Sequence, residues 1–359
     1  MEITFVRHAE SEANGAGRWQ GQGDSPLSDR GREQARMLGR RLSAHPFDLV
    51  VCSDLGRACA TAEALGVPVE PDPGWREVDV GRWEGLTRQE VATAYPEEMR
   101  AIAAGEPVAM GGGESWVDMH ARVDAALERL LGRLDADARV LVVSHGGTIG
   151  GVLAGMLDSR ERRPWAFGRA TNTALSTIRI GNGLAEILRF NDAAHIGPIG
   201  PWLSDRITAG APVGTLVAHG PTARPTEPSE PTAGRSRGDP WALGLERLAA
   251  WYSPPDSLWA TADPAARLAG AVLSTRHGVP LMDQALEAHA LTRHVATHHT
   301  RGGRCAVVID GESISRWATG ALEGPNPRAR LAPLAHAALS HFVLDGEDPV
   351  LADYNVAPL

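Results

Sequence analysis

The chain has 359 residues, longer than one typical domain, which points to two. Its net charge of −9 excludes a global basic field for nucleic acid, so an anionic ligand must be held by a local cluster of cations. With 43% apolar and 22% charged residues, and no apolar run near the ~18 residues that span a bilayer, it reads as an ordinary globular chain with no membrane partner.

In chain order, Ile3–Val6 is a short apolar strand that ends on Arg7-His8, and a polar turn with Ser11 and Asn14 follows. Ser28 is placed to cap a helix whose apolar positions are Ala35, Leu38 and Leu42. Asp48–Cys52 reads as a buried strand and Arg57–Leu65 as the next helix. Trp75–Thr87 is irregular and punctuated by Gly81 and Gly85, while Glu90–Ala104 and Val117–Leu134 have helical spacing. Arg139–Val143 is a third buried strand, closed by Ser144-His145-Gly146-Gly147, and Ile149–Leu157 is again helical. Two last strands, Ala174–Ile180 and Ala185–Phe190, are joined by the hairpin signal Gly181-Asn182-Gly183. The alternation predicts an α/β fold with a largely parallel sheet covered by helices. The amino terminus enters a strand directly, with no secretory signal pattern. Cys52, Cys59 and Cys305 lack paired spacing, which argues against a disulfide framework or a cysteine zinc site and fits a cytoplasmic location.

The second half repeats the first. Gly214–Gly220 is similar to Ile3–Ala9, and Arg304–Ile314 to Arg139–Ile149. Ala338-Leu339-Ser340 lines up with Ala174-Leu175-Ser176, and Asp353-Tyr354-Asn355 with Arg189-Phe190-Asn191. Four matches in one order at nearly constant spacing favour an internal duplication. The expected domains are 1–200 and 213–359, with 221–240, rich in Pro, Gly, Ser, Thr and Arg, as a flexible loop.

Three residues of the first half follow three successive strands: His8, with Arg7 beside it, then Arg57, then His145. Strand ends of a parallel sheet lie side by side, so these groups are expected in one pocket. Arginine grips phosphate oxygens bidentately and stays charged, and helix starts after Arg57 and His145 add N–H donors, Gly146 among them. A neutral imidazole between such cations is a candidate nucleophile toward phosphorus.

These residues resemble the histidine phosphatase superfamily, the phosphoglycerate-mutase-like fold. The matching motifs are Arg7-His8-Ala9-Glu10-Ser11-Glu12-Ala13-Asn14, Gly21–Gly31, Ser53–Ala62, Glu77–Thr87 and Ser144–Gly147, spread over about residues 1–195. The resemblance implies that His8 becomes phosphorylated and that Arg7, Arg57 and His145 bind the phosphoryl group. It further implies that Glu77 is the proton donor and that Ser11 and Asn14 make contacts at the site's edge. The fold it implies is a tandem pair of phosphoglycerate-mutase-like domains, each a mostly parallel sheet flanked by helices. The activity is that of a phosphomonoesterase, with no cofactor and no metal because the arginines already supply positive charge. Its expected partner is a small phosphorylated metabolite; a homodimer is open, since the sequence does not give the oligomeric state.

Two alternatives stand beside hydrolysis. Cofactor-dependent mutases of the superfamily carry an Arg-His-Tyr-Gly motif near the acid, where this chain has Gly81-Arg82-Trp83-Glu84-Gly85. A phospho-ligand binding or regulatory protein without turnover is the other. The second half reads as catalytically degenerate: His219 stands for His8, Ala218 for Arg7, Asp310 for His145 and Ala266 for Arg57, while Glu287 matches Glu77 only with a gap. A cluster of His289, His294, His298 and His299 has one i,i+4 pair and reads as a solvated or domain-contacting face. Specificity is expected from Gln89–Met119, with Gly111-Gly112-Gly113 as its joint.

Overall fold

The structure, a computed structural model, describes residues 1–160, 167–197, 201–209, 211, 213–219, 245, 247–250, 254–282, 286, 304–322, 329–332, 334, 338–345 and 348–356. The loop 221–240, Glu287 and the four histidines at 289–299 lie outside the described residues. The chain divides into two compact units, Met1–Pro164 with Arg169–Ala185, and Trp165–Gly168 with Glu186–Leu359.

The first unit is built on β1 (Glu2–Arg7), β2 (Leu49–Cys52), β3 (Glu70–Pro71), β4 (Arg139–Ser144) and β5 (Leu175–Gly181), in the order β3-β2-β4-β1-β5. β1, β4 and β2 run parallel, with Arg7 opposite Ser144 and Cys52 opposite Val143. Their carboxyl ends therefore lie at one edge of the sheet, as the sequence predicts. β5 is antiparallel to β1, so the sheet is mixed rather than parallel throughout. β5 ends at Gly181 and is followed by Asn182 and Gly183, whose φ values of 53° and 72° are those of a type I′ turn.

Apolar residues of the strands face Leu38 of α2 (Asp29–Leu42) and Ala58 and Ala62 of α3 (Gly56–Glu63), burying Val6, Val50, Leu141, Val143 and Leu175. Each such aliphatic side chain contributes roughly 1.5–3 kcal/mol over an exposed one. Ser28 caps α2 as expected, its hydroxyl accepting from Gly31 N at 3.0 Å. The expected helix 90–104 is two helices, α4 (Arg88–Ala94) and α5 (Pro96–Ala103), after a short α1 (Glu12–Gly15) earlier in the chain. Pro96 begins the second of them, since it can open a helix but not continue one. α6 (Trp116–Leu131) follows a capping box of Ser115 and Asp118, and α7 (Gly146–Met156) starts directly after His145.

The second unit carries β6 (Leu184–Asp192), β7 (Val213–His219), β8 (Ser257–Ala260), β9 (Arg304–Asp310), β10 (Ala329–Leu331), β11 (Leu339–Asp345) and β12 (Asp348–Val356). β8, β9 and β7 are parallel neighbours in that order, and β11 is antiparallel to β7. Helices Pro264–His277 and Gly311–Ala321 follow β8 and β9, as α3 and α7 follow β2 and β4. The second helical position, Arg57 in α3, is Ala265 in Pro264–His277; Ala266, expected there, is one residue further on and buried.

Gly31 shows how tightly the turn after His8 is held. A methyl group there would collide with the carbonyl oxygen of Glu10. Gly31→Ala is expected to lower stability by about 3 kcal/mol, measured by thermal unfolding, because backbone must move to admit it.

Candidate active site

The strand ends bring Arg7, His8, Arg57 and His145 together. His8 is 3% exposed, Arg57 2% and His145 0%. The rings of His8 and His145 have centroids 5.1 Å apart. Nδ1 of His8 donates to the carbonyl of Ala9 at 2.7 Å, so Nε2 is the unprotonated nitrogen. Nε of Arg57 donates to that Nε2 at 3.3 Å. Burial first, and then the charges of Arg57 and Arg7, hold the His8 imidazole well below its ordinary pKa, so it stays neutral.

Arg57 is a bridge as well as a charge. Nη1 donates to Gly23 O at 2.9 Å and Nη2 to Gly21 O at 2.7 Å, fastening the turn at 21–23. Arg7 Nη1 donates to Ala170 O at 2.5 Å. Burial, and after it the neighbouring Arg169, pull the Arg7 guanidinium down to about 10, which still leaves it charged near neutrality. Glu77 acts in the opposite sense on both guanidiniums.

His145 meets Ser53 Oγ at 2.8 Å through Nε2. That oxygen also accepts from Leu55 N at 3.3 Å, which fixes the hydroxyl beside the His145 ring. Nδ1 of His145 and Nε of Arg7 are buried nitrogens with no hydrogen-bond partner among the described residues. Buried polar groups are normally satisfied, and the Arg7 Nε–H is a charged donor suited to an oxyanion.

Glu77 reaches the site from the irregular segment. Oε2 accepts from Gly147 N at 3.0 Å, in the first turn of α7, and Oε1 from Val78 N at 3.0 Å. A Cβ on Gly147 would collide with Oε1, so only glycine lets the carboxylate rest there. A Cβ on Gly146 would meet Arg7 Nε at 3.7 Å, which puts that residue against the cation cluster. Ser11 and Asn14 take a different part. Ser11 is fully buried and caps α1, accepting from Asn14 N at 3.2 Å. Asn14 Oδ1 accepts from Asn172 at 3.3 Å.

Several positioning residues carry no obvious sequence signal. Asn172 Nδ2 donates to His8 O at 2.8 Å, holding the main chain of that histidine. A polar residue opening the strand antiparallel to β1 is the one hint, since it must lie beside the end of β1. Arg122 grips Glu114 at 2.9 and 2.7 Å and donates to the carbonyls of Gly74, Arg76 and Glu77 at 3.0 to 3.2 Å. Arg76 pairs with Asp54 at 2.6 Å through both Nε and Nη2. The acid segment is also pinched at its base. Glu114 N donates to Asp79 O at 2.8 Å, and a Cβ on Gly81 would stand 2.5 Å from Gly111 O. No group of three or more His, Cys, Asp or Glu side chains among the described residues is arranged to hold a metal ion, and no described helix is long and apolar enough to cross a membrane.

Residues 3–193 match the family model of the histidine phosphatase superfamily, branch 1. Phosphoserine phosphatase 1 of Hydrogenobacter thermophilus is 34% identical over 202 residues, 55% of this chain and 95% of that protein. A probable phosphoglycerate mutase, GpmB, of Proteus mirabilis is 37% identical over 193 residues, 51% of this chain and 86% of that protein. The solved structure of YhfR of Bacillus stearothermophilus superposes with a TM-score of 0.51 at 29% identity, over 54% of this chain and 98% of that one.

The neutral histidines set a pH dependence. Below its ordinary pKa of about 6.5 an unfolded histidine takes up a proton that buried His8 and His145 refuse, so stability falls as pH drops below 6.5. Each contributes up to about 1.4 kcal/mol per pH unit. Denaturant unfolding between pH 6.5 and 4.5 is expected to show this slope, and His145→Asn to make it shallower.

Proposed function

The chain belongs to the histidine phosphatase superfamily and is a phosphatase, and we propose that it hydrolyses a small phosphorylated metabolite through a phosphohistidine on His8. The observation that carries this reading is the His8 ring itself: its tautomer is fixed by Ala9 O, its Nε2 faces Arg57, and the His145 ring lies 5.1 Å from it, centroid to centroid. Nε2 attacks phosphorus as the bond to the alcohol oxygen breaks, and Glu77 gives that oxygen a proton. The Glu77 carboxylate then takes a proton from water, whose oxygen displaces Nε2 and yields inorganic phosphate. Arg7, Arg57 and His145 bind the phosphoryl oxygens, with the Gly146 end of α7 adding its dipole. Ser11 and Asn14 support the edge of the site through the α1 cap. The guanidiniums supply the positive charge, so the reaction needs no metal.

The similarity to a probable mutase favours phosphoryl transfer between phosphoglycerate isomers as a second reading. Turnover of 4-nitrophenyl phosphate with release of phosphate distinguishes the two. The rate is expected to be unchanged by EDTA and to fall at least a thousandfold in His8→Ala. A variant rate equal to wild type would remove His8 from its role, and transfer between isomers without phosphate release would reverse the choice. Gly147→Ala, which displaces Glu77, is expected to lower kcat tenfold or more while His8 phosphorylation by the substrate remains detectable.

We further propose that the second unit is a degenerate, non-catalytic copy, with domains at 1–200 and 213–359. Supporting this, the β8-β9-β7-β11 order and senses repeat those of β2-β4-β1-β5. Val213 faces Arg304 as Glu2 faces Arg139, and counting on puts His219 and Asp310 at the positions of His8 and His145. Asp310 caps its helix where His145 begins α7, and Ala265 replaces Arg57. A carboxylate in place of imidazole, without a guanidinium, disfavours a phosphate dianion. His219→Ala is expected to leave hydrolysis within twofold of wild type.

A further inference from the structure

Trp116 opens α6 and is fixed by its cap: Ser115 Oγ donates to Asp118 Oδ2 at 2.7 Å, and Asp118 N donates back to Oγ at 3.2 Å. One turn on, His120 stacks against it, with ring centroids 6.2 Å apart and planes 25° from parallel. Both rings rest on glycines of α7. A Cβ on Gly147 would stand 3.2 Å from Cζ3 of Trp116, and one on Gly151 would stand 2.7 Å from Cδ2 of His120. The same Gly147 position is where Glu77 Oε1 lies. The proton donor and the benzo edge of Trp116 thus border one spot, with no side chain of α7 between them.

The guanidiniums bound to the backbone of the Glu77 segment or next to it are themselves paired, Arg122 with Glu114 and Arg76 with Asp54. His120 is pushed down to about 4 by burial and by Arg160, so the stacked pair is uncharged at working pH. A leaving oxygen protonated by Glu77 would have the benzo edge of Trp116 beside it, since both border the Gly147 position.

We propose that Trp116 determines specificity by stacking on the leaving alcohol, selecting phosphomonoesters with a flat aryl or broad apolar face over short carboxylated ones. This rests on Glu77 as the acid, and it differs from what the name of the phosphoserine phosphatase relative says of that protein.

The test measures kcat/KM for phenyl phosphate and for O-phosphoserine in wild type, Trp116→Ala and Trp116→Phe. The ratio of phenyl phosphate to phosphoserine is expected to fall about tenfold in Trp116→Ala, through KM, and to return within threefold of wild type in Trp116→Phe. Equal losses on both substrates would mark a structural role and overturn the proposal, as would an unchanged ratio or no turnover of phenyl phosphate by wild type. His8→Ala run in parallel separates the two levels. Turnover that depends on His8 with a ratio insensitive to Trp116 sinks only the specificity assignment, whereas turnover independent of His8 sinks the reading beneath it.

Discussion

The arrangement depends on a guanidinium buried at the end of a strand. Arg57 is almost out of contact with water, and burying a bare charge costs several kcal/mol unless hydrogen bonds replace the lost hydration. Three of its donors are answered, by His8 Nε2 and by the carbonyls of Gly21 and Gly23. One partner is the ring of His8, just past β1, and the others are carbonyls of the turn at 21–23, so a single side chain of α3 ties that histidine to that turn. Burial, and after it this same charge, keeps the His8 and His145 imidazoles neutral. Fold and chemistry are thereby coupled through one residue.

Much of this was legible from residue order. Apolar runs ending on Arg7-His8, Ser53 and Ser144-His145 place polar groups at three strand ends, and parallel pairing of those strands brings them together. Ser28 and the helix after it follow from local capping chemistry. Glu77 was visible only through the family resemblance, because it sits on an irregular segment with no period to read. Asn172 and Arg122 went unseen for a related reason. Each acts by donating to distant main-chain carbonyls, and such bonds leave no mark on neighbouring residues. Ser11, expected at the site's edge, caps a four-residue helix through its hydroxyl, which accepts from Asn14 N and keeps its own hydrogen to donate.

The second unit shows the reverse balance. Its strand order and register echo the first, yet the charged groups do not. Buried apolar strands such as Cys305–Ile309 are kept because a sheet interior tolerates few changes. An arginine at a helix start is under no such packing demand, and Ala265 occupies that position without disturbing the helix. A strand order can thus recur without the charged groups that stand at its strand ends in the first unit.

The contacts that close the base of the acid segment have one more consequence. Asp79 and Gly81 meet Gly111 and Glu114 backbone to backbone, so the chain between them leaves and returns at nearly the same point. The stretch from Arg82 to Met110 is therefore an excursion closed at its neck, tied back to the rest of the fold by buried Trp83 and by Glu98 on Gly111 N, and its outer helices can vary in sequence while the neck keeps Glu77 and its neighbours in place.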